Sequence, residues 1–82
     1  MSGVITVVLL GKLADLAGAP SLQLAAPLDW AGLQAALPEA LAGALGDPRN
    51  RVAINGALLA DKAALHAGEG DEIALLPPVS GG

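Results

Sequence analysis

The chain has 82 residues, no cysteine and a formal charge of −4 at pH 7. This length fits one small domain that buries only about 60–65% of its unfolded surface, and without cysteine neither a disulfide nor a thiolate zinc site can supplement the core. Four scattered basic residues and a net negative charge argue against binding to nucleic acid or to an anionic membrane surface.

The apolar N-terminal segment, residues 4–10, is followed by the small residues 17–19 and so mimics a signal peptide. It lacks the basic n-region of a signal, and Lys12 and Asp15 interrupt it before the cleavage site. No stretch approaches the ~18 apolar residues of a membrane span. We therefore expect a cytoplasmic protein whose first element is a strand.

The first part of the chain predicts two antiparallel strands. Residues 4–10 form a continuous run rich in β-branched residues, which is typical of a central strand. Residues 21–24 alternate between polar and apolar side chains, which predicts a second strand. Between them we predict a short helical turn that ends at Gly18. Asp29 is placed to cap the helix that follows.

Leucines recur at helical spacing after Trp30, but Pro38 interrupts the pattern. Proline disfavours helical geometry at the residue before it. We therefore predict one helix over 30–36 and a second with Pro38 in its first turn, stopped by Gly46. Trp30 is expected to anchor the start of the first helix in the core.

The last part of the chain predicts three more strands. Residues 51–54 form the first, and Asn55-Gly56 is a tight-turn dipeptide that leads into a strand over 57–59. Asp61 can cap a helical turn after this hairpin. Residues 72–76 form the last strand.

This order of elements predicts an α+β fold of the ubiquitin-like β-grasp type. A right-handed crossover places the last strand parallel to the first, at the centre of a mixed sheet of about five strands, with one main helical segment packed on one face. We predict a β-grasp domain over residues 1–76 and a flexible, extended tail over residues 77–82.

The side chains present exclude most catalytic schemes. His66 is the only histidine, so nucleophilic triads lack a base and transition-metal sites lack ligands. Glu69, Asp71 and Glu72 lack the spacing of a calcium loop and are interpreted as solvated turn carboxylates. We expect His66 to lie in a turn and face water. The chain is predicted to bind no metal or cofactor and not to be an enzyme alone.

With most catalytic schemes based on side chains excluded, the remaining candidate for a reactive group is the carboxylate at the end of the tail. Two prolines favour an extended start, and two glycines give a thread that can enter a narrow pocket. The terminal α-carboxylate could be adenylated and then accept sulfur as a thiocarboxylate. The alternative is a frayed terminus without function, and composition leaves the two readings near even. The tail residues are Pro77, Pro78, Val79, Ser80, Gly81 and Gly82.

The C-terminal segment 70–82, ending in Pro-Pro-Val-Ser-Gly-Gly, resembles the C-terminus of the small subunit of molybdopterin synthase. Segments 52–56 and 4–18 are similar to the same family, so the resemblance covers nearly the whole chain. Relatives often carry aromatic residues where this chain has Leu10 and Leu76, and an arginine where it has Ala14.

The resemblance implies a sulfur carrier for molybdenum cofactor biosynthesis. An ATP-dependent activating enzyme, related to ubiquitin-activating enzymes, would adenylate Gly82, and the adenylate would become a thiocarboxylate. The tail would then enter the active site of the large synthase subunit, which transfers sulfur to cyclic pyranopterin monophosphate. Two small subunits per large-subunit dimer, a heterotetramer, would be expected. The activating enzyme would consume the ATP.

Strand parity predicts a partner surface independently of the resemblance. If the odd-numbered residues of the first and last strands face the helices, Leu10 and Leu76 face away, and Leu58 is a possible third member. Leucines on the outer face of a one-layer sheet favour a docking patch. Scattered surface leucines are the alternative.

Three other functions remain open. A carrier for thiamine or cysteine synthesis keeps the chemistry and changes the pathway, although Pro77-Pro78 argues against thiamine. A ubiquitin-like protein modifier would join Gly82 to lysines. A β-grasp interaction module with an inert terminus belongs to a different class.

Overall fold

The computed structural model describes residues 3–78. These residues form short strands and helices connected by tight turns. In chain order they are β1 (Val4–Leu9), α1 (Lys12–Ala17), β2 (Ser21–Ala25), β3 (Leu28–Asp29), α2 (Trp30–Ala36), α3 (Glu39–Leu45), β4 (Arg51–Ile54), β5 (Ala57–Leu58), a 3-10 turn (Lys62–Ala64), β6 (His66–Ala67) and β7 (Glu72–Leu76).

Five strands make one mixed sheet in the order β2-β1-β7-β4-β5. β1 pairs antiparallel with β2 and parallel with β7, where Leu9 lies opposite Leu75. The predicted β-grasp topology is therefore confirmed, and β7 spans the predicted residues. The predicted ends of β1, at Leu10, and β5, at Leu59, were each one residue too late, and β2 continues one residue further than predicted, to Ala25.

The crossover consists of two short helices, as Pro38 predicts. Leu37 is extended, with φ −92° and ψ 154°, so the first helix ends there and the second begins at Glu39. The single main helical segment is thus divided, and α1 adds a third helix. Asp29 caps α2 as predicted, accepting a 2.7 Å hydrogen bond from Gly32 N at Oδ1.

A second, two-stranded sheet was missed. β3 pairs with β6, and Asp29 lies opposite His66. His66 is exposed as predicted, but it lies in this short strand and not in a turn. Two-residue strands carry no measurable periodicity, so only tertiary pairing defines them. Asp61 caps the 3-10 turn as predicted, accepting a 3.0 Å bond from Ala63 N.

The core lies between the five-stranded sheet and the helices. Trp30 packs against it but is only half-buried, with the Lys62 ammonium 5.6 Å from the centroid of its ring. None of the helices among residues 3–78 could span a lipid bilayer. The core side chains are Ile5, Val7, Leu9, Leu13, Leu28, Leu33, Leu37, Leu41, Leu45, Val52, Leu65, Ala67, Ile73 and Leu75.

Candidate functional site

The tail begins where β7 ends, at Leu76. Pro77 is half-buried and Pro78 is exposed. Both line a groove of about 270 Å³ together with Leu13 and Leu16 of α1. The first two tail residues therefore lie beside the domain. The remaining predicted site residues, Val79, Ser80, Gly81 and Gly82, lie outside the described residues, and their roles stay predictions.

The outer face of the sheet carries a row of small and apolar side chains. Cross-strand partners lie on the same face of a sheet, so the row can be followed from strand to strand. It ends at Leu58, which is 59% exposed. The row runs from Ser21 through Val8, Ala74 and Ala53 to Leu58.

The other two predicted interface leucines lie nearer to the tail. Leu10 follows β1 and is 43% exposed. Leu76 lies opposite Arg51 on the outer face but is half-buried, so it is less accessible than strand parity alone implied. The three leucines share the outer side of the sheet, and Leu58 lies on an edge strand two strands away from β7.

Basic residues that are scattered in the sequence meet near the tail. Lys12 and Arg49 line the groove with the prolines, and Arg51 is the cross-strand neighbour of Leu76. Arg49 forms a 2.8 Å salt bridge with Asp47, and its hydrogen bonds to that carboxylate lower the pKa of Asp47 to about 2. Lys12 and Arg51 have no salt-bridge partner within residues 3–78.

The fourth basic residue, Lys62, stabilises the loop between α3 and β4. Its ammonium donates to the carbonyl oxygens of Leu45, Asp47 and Asn50 at 2.6, 2.9 and 3.0 Å. All three N–H donors of the ammonium are thus used by carbonyls at and after the C-terminus of α3. The last carbonyls of a helix have no hydrogen-bond donor within the helix, and Lys62 provides one. This contact holds the segment that leads into β4 and Arg51.

The described part of the chain offers no metal centre. Within residues 3–78 no group of three or more His, Cys, Asp or Glu side chains could hold a metal ion.

Sequence reasoning missed two features that shape this site. Nothing in the pattern around Lys62 indicates that it binds backbone carbonyls. Gly11, in contrast, stands between a β-branched strand and a helical turn, a position that favours a glycine turn. Its φ is +54°, and it lies beside Pro77.

Solved structures with this fold cover almost the whole chain. The crystal structure of small archaeal modifier protein 1 from Haloferax volcanii is 31% identical, with a TM-score of 0.69 over 98% of this chain and 100% of that one. The solution structure of the Methanosarcina acetivorans protein of the same description is 24% identical, with a TM-score of 0.73, and covers 100% of this chain and 99% of that one. The second likeness supports the fold alone.

A third structure is the protein–protein complex of subunits 1 and 2 of molybdopterin-converting factor from Helicobacter pylori. One of its chains is 26% identical, with a TM-score of 0.66 over 96% of this chain and 99% of that one. No curated protein sequence is similar enough to count as a match. The sequence profile of the ThiS family matches residues 7–82. The chain therefore belongs to the ThiS family and is a β-grasp sulfur carrier of this type.

Proposed function

We propose that this chain is the sulfur-donating small subunit of a molybdopterin synthase. The observation that carries the proposal is the ending Pro-Pro-Val-Ser-Gly-Gly, which follows directly on the last strand of a ThiS-family domain. The 26% identity with a chain of the Helicobacter pylori molybdopterin-converting factor complex supports the same pathway.

The chemistry takes place at Gly82. A carboxylate is a poor electrophile, and reaction with ATP converts it to an acyl-adenylate with release of pyrophosphate. The outer sulfur of a donor persulfide then attacks the carbonyl and displaces AMP, which gives an acyl disulfide. A thiol cleaves the S–S bond of this acyl disulfide, and the products are the thiocarboxylate and a disulfide. An ATP-dependent activating enzyme performs the first step, and the large synthase subunit passes the sulfur to cyclic pyranopterin monophosphate. Because activation consumes ATP, we assign the reaction to the cytoplasm.

The outer sheet face is the proposed docking surface for the large subunit. Leu10 and Leu58 are exposed apolar side chains on that side, and Leu76 joins them at the root of the tail. Burial of apolar area drives most protein association. Leu58→Asp should therefore weaken binding of the large subunit, as measured by titration calorimetry, while Glu39→Lys on α3 should not.

A ubiquitin-like modifier is the second candidate. It is favoured by the 31% identity over nearly the full length with small archaeal modifier protein 1 of Haloferax volcanii. Both functions begin with adenylation of the terminal glycine, and they differ in the nucleophile that attacks next. A persulfide gives a carrier, and a lysine amine gives a modifier.

Intact-mass measurement separates the candidates. The chain is incubated with ATP, its activating enzyme and a sulfur donor, and then with the large subunit and cyclic pyranopterin monophosphate. The proposal expects replacement of one oxygen by sulfur, followed by loss of that sulfur as molybdopterin forms. Adducts on target lysines would instead establish a modifier. A thiocarboxylate that the large subunit does not discharge would assign the carrier to another pathway.

Deletion of Gly82 provides the control. The core side chains of the described residues end at Leu75, so the shortened chain should melt at nearly the temperature of the full chain. It should form no thiocarboxylate. Sulfur donation by the shortened chain would contradict the carrier function.

A further inference from the structure

The chain turns from β1 into α1 at Gly11, beside the root of the tail. In the parallel pair of β1 and β7, Leu9 lies opposite Leu75, and the same register continued by two residues brings Gly11 opposite Pro77. Leu10 N donates a 3.2 Å hydrogen bond to Leu75 O, so the two segments are still joined immediately before this point.

Gly11 has a backbone conformation that excludes ordinary side chains. Its φ is +54° and its ψ is −130°, a combination that glycine adopts readily and L-residues avoid. The space beside it is also occupied. A Cβ at this position would lie 3.1 Å from Pro77 Cγ, well inside the ~3.5–4.0 Å of a favourable contact between carbon atoms.

Pro77 cannot relieve such a contact by rotating a side chain. Its Cγ belongs to a ring that closes on its own backbone nitrogen. The ring can change its pucker, which moves Cγ slightly, but further relief must move the backbone of Gly11 or of Pro77, where the tail starts. Since Pro77 and Pro78 both line the groove beside α1, a movement of the Pro77 backbone would change the direction in which the tail leaves the domain.

We infer that Gly11 is a positioning residue for the tail. Its missing side chain lets Pro77 lie against the turn between β1 and α1, and this contact sets the exit direction of the tail. The consequence of this contact for delivery of Gly82 rests on the proposed function. Gly11 lies where the tail starts and not at Gly82, where the chemistry takes place. Its substitution should therefore raise the KM for the carrier and leave kcat nearly unchanged.

The test compares Gly11→Ala with Gly18→Ala at the other end of α1. Both glycines have positive φ, +54° and +74°, so both alanines strain the backbone, and Gly11→Ala strains it more because ψ is −130° at Gly11 and 14° at Gly18. Only the Cβ of Gly11→Ala would contact Pro77, because no atom lies within 4 Å of a Cβ at Gly18. One measurement is the NMR resonances of Pro77 and Pro78, and the other is carrier-dependent ATP–pyrophosphate exchange by the activating enzyme.

Gly11→Ala should shift the resonances of both prolines and raise the KM for the carrier about 2- to 5-fold, the loss expected when one restricted residue is released. Gly18→Ala should leave the proline resonances and the KM unchanged. If the two variants give the same resonances and the same KM, the positioning role is wrong.

Proline variants keep the test decisive if Gly11→Ala folds poorly. Pro77→Gly removes the ring that rests on Gly11, whereas Pro78→Gly releases a comparable restriction without this contact. Pro77→Gly should raise the KM for the carrier more than Pro78→Gly does, and equal increases in KM would contradict the inference.

When Pro77→Gly is already present, Gly11→Ala should raise the KM for the carrier no more than Gly18→Ala does. Shifted proline resonances together with no exchange by the wild-type chain would support the geometry and reject the proposed function.

Discussion

The side-chain amide of Asn55 donates a 3.0 Å hydrogen bond to Oδ1 of Asp71 and joins the β4–β5 turn to the loop before β7. Asn55 Oδ1 also accepts a 2.9 Å bond from Glu72 N, and Asp71 Oδ2 accepts a 2.8 Å bond from Gly68 N. Asn55, with φ +50°, therefore adds two side-chain hydrogen bonds to the pairing of β4 with β7, the central strand whose end carries the tail.

Replacing this amide by a carboxylate should loosen the hairpin. Asn55→Asp keeps the shape of the side chain and the acceptor for Glu72 N, but it removes the donor and places a second negative charge against Asp71. We expect a lower melting temperature at pH 7 than for the wild type, with a smaller difference at pH 3, where carboxylates gain protons. Asn55→Gly tolerates positive φ and removes the donor without adding a charge, so its difference in melting temperature from the wild type should change less between pH 7 and pH 3 than that of Asn55→Asp.

Asp71 should contribute to the acid sensitivity of the fold. The hydrogen bond from Gly68 N, followed by that from Asn55, lowers the pKa of Asp71 below its ordinary value of 3.8. The folded protein therefore binds this proton more weakly than the unfolded chain does. The stabilisation is complete above the unfolded pKa and is lost as the pH falls through the folded pKa.

Thermal unfolding of Asp71→Asn between pH 7 and pH 2 measures this contribution. The variant should be less stable than the wild type at pH 7 and should approach it at the lowest pH. Asp15→Asn is the control, because Asp15 is an exposed aspartate of α1. A constant difference between Asp71→Asn and the wild type across the whole range would contradict the assignment.

Lys62 should matter for stability far more than Lys12, the only other lysine. Lys62→Met keeps the length of the side chain but removes its three hydrogen bonds to the carbonyls of Leu45, Asp47 and Asn50, of which, among residues 3–78, only that of Asp47 keeps another donor, Asn50 N. We expect the free energy of unfolding in urea to fall by about 2 kcal/mol, as for other hydrogen bonds to charged groups. Lys12→Met, at an exposed position, should change it by less than about 0.5 kcal/mol.

Strand parity predicts different penalties for charge on the two faces of the sheet. Leu75 is fully buried and Leu58 is 59% exposed. Leu75→Asp should cost several kcal/mol, because it places a carboxylate in the core, whereas Leu58→Asp should stay within about 1 kcal/mol. Urea unfolding of both variants measures this. Comparable losses would mean that the assignment of the two faces is wrong.

Most helices and strands of this fold could be predicted from the sequence, because the residues that start, end or divide them act on their near neighbours in the chain. Pro38 divides the crossover through its effect on Leu37, and Asp29 caps the helix that begins at the next residue by accepting from Gly32 N, three residues away. Asn55-Gly56 encodes its own turn. Errors arise where the local signal is weak, as at β3 and β6, which are too short for any periodicity.

The sequence by itself determined the parallel pairing of the first and last strands, the facing of these strands and the candidate reactive terminus, since these follow from the order of the elements and from residues that are neighbours in the chain. Only the tertiary structure decided which distant groups meet. Gly11 lies beside Pro77, Asn55 beside Asp71, and Lys62 among three loop carbonyls. Such contacts follow from the packing of strands and helices that are remote in sequence, and no periodic pattern records them.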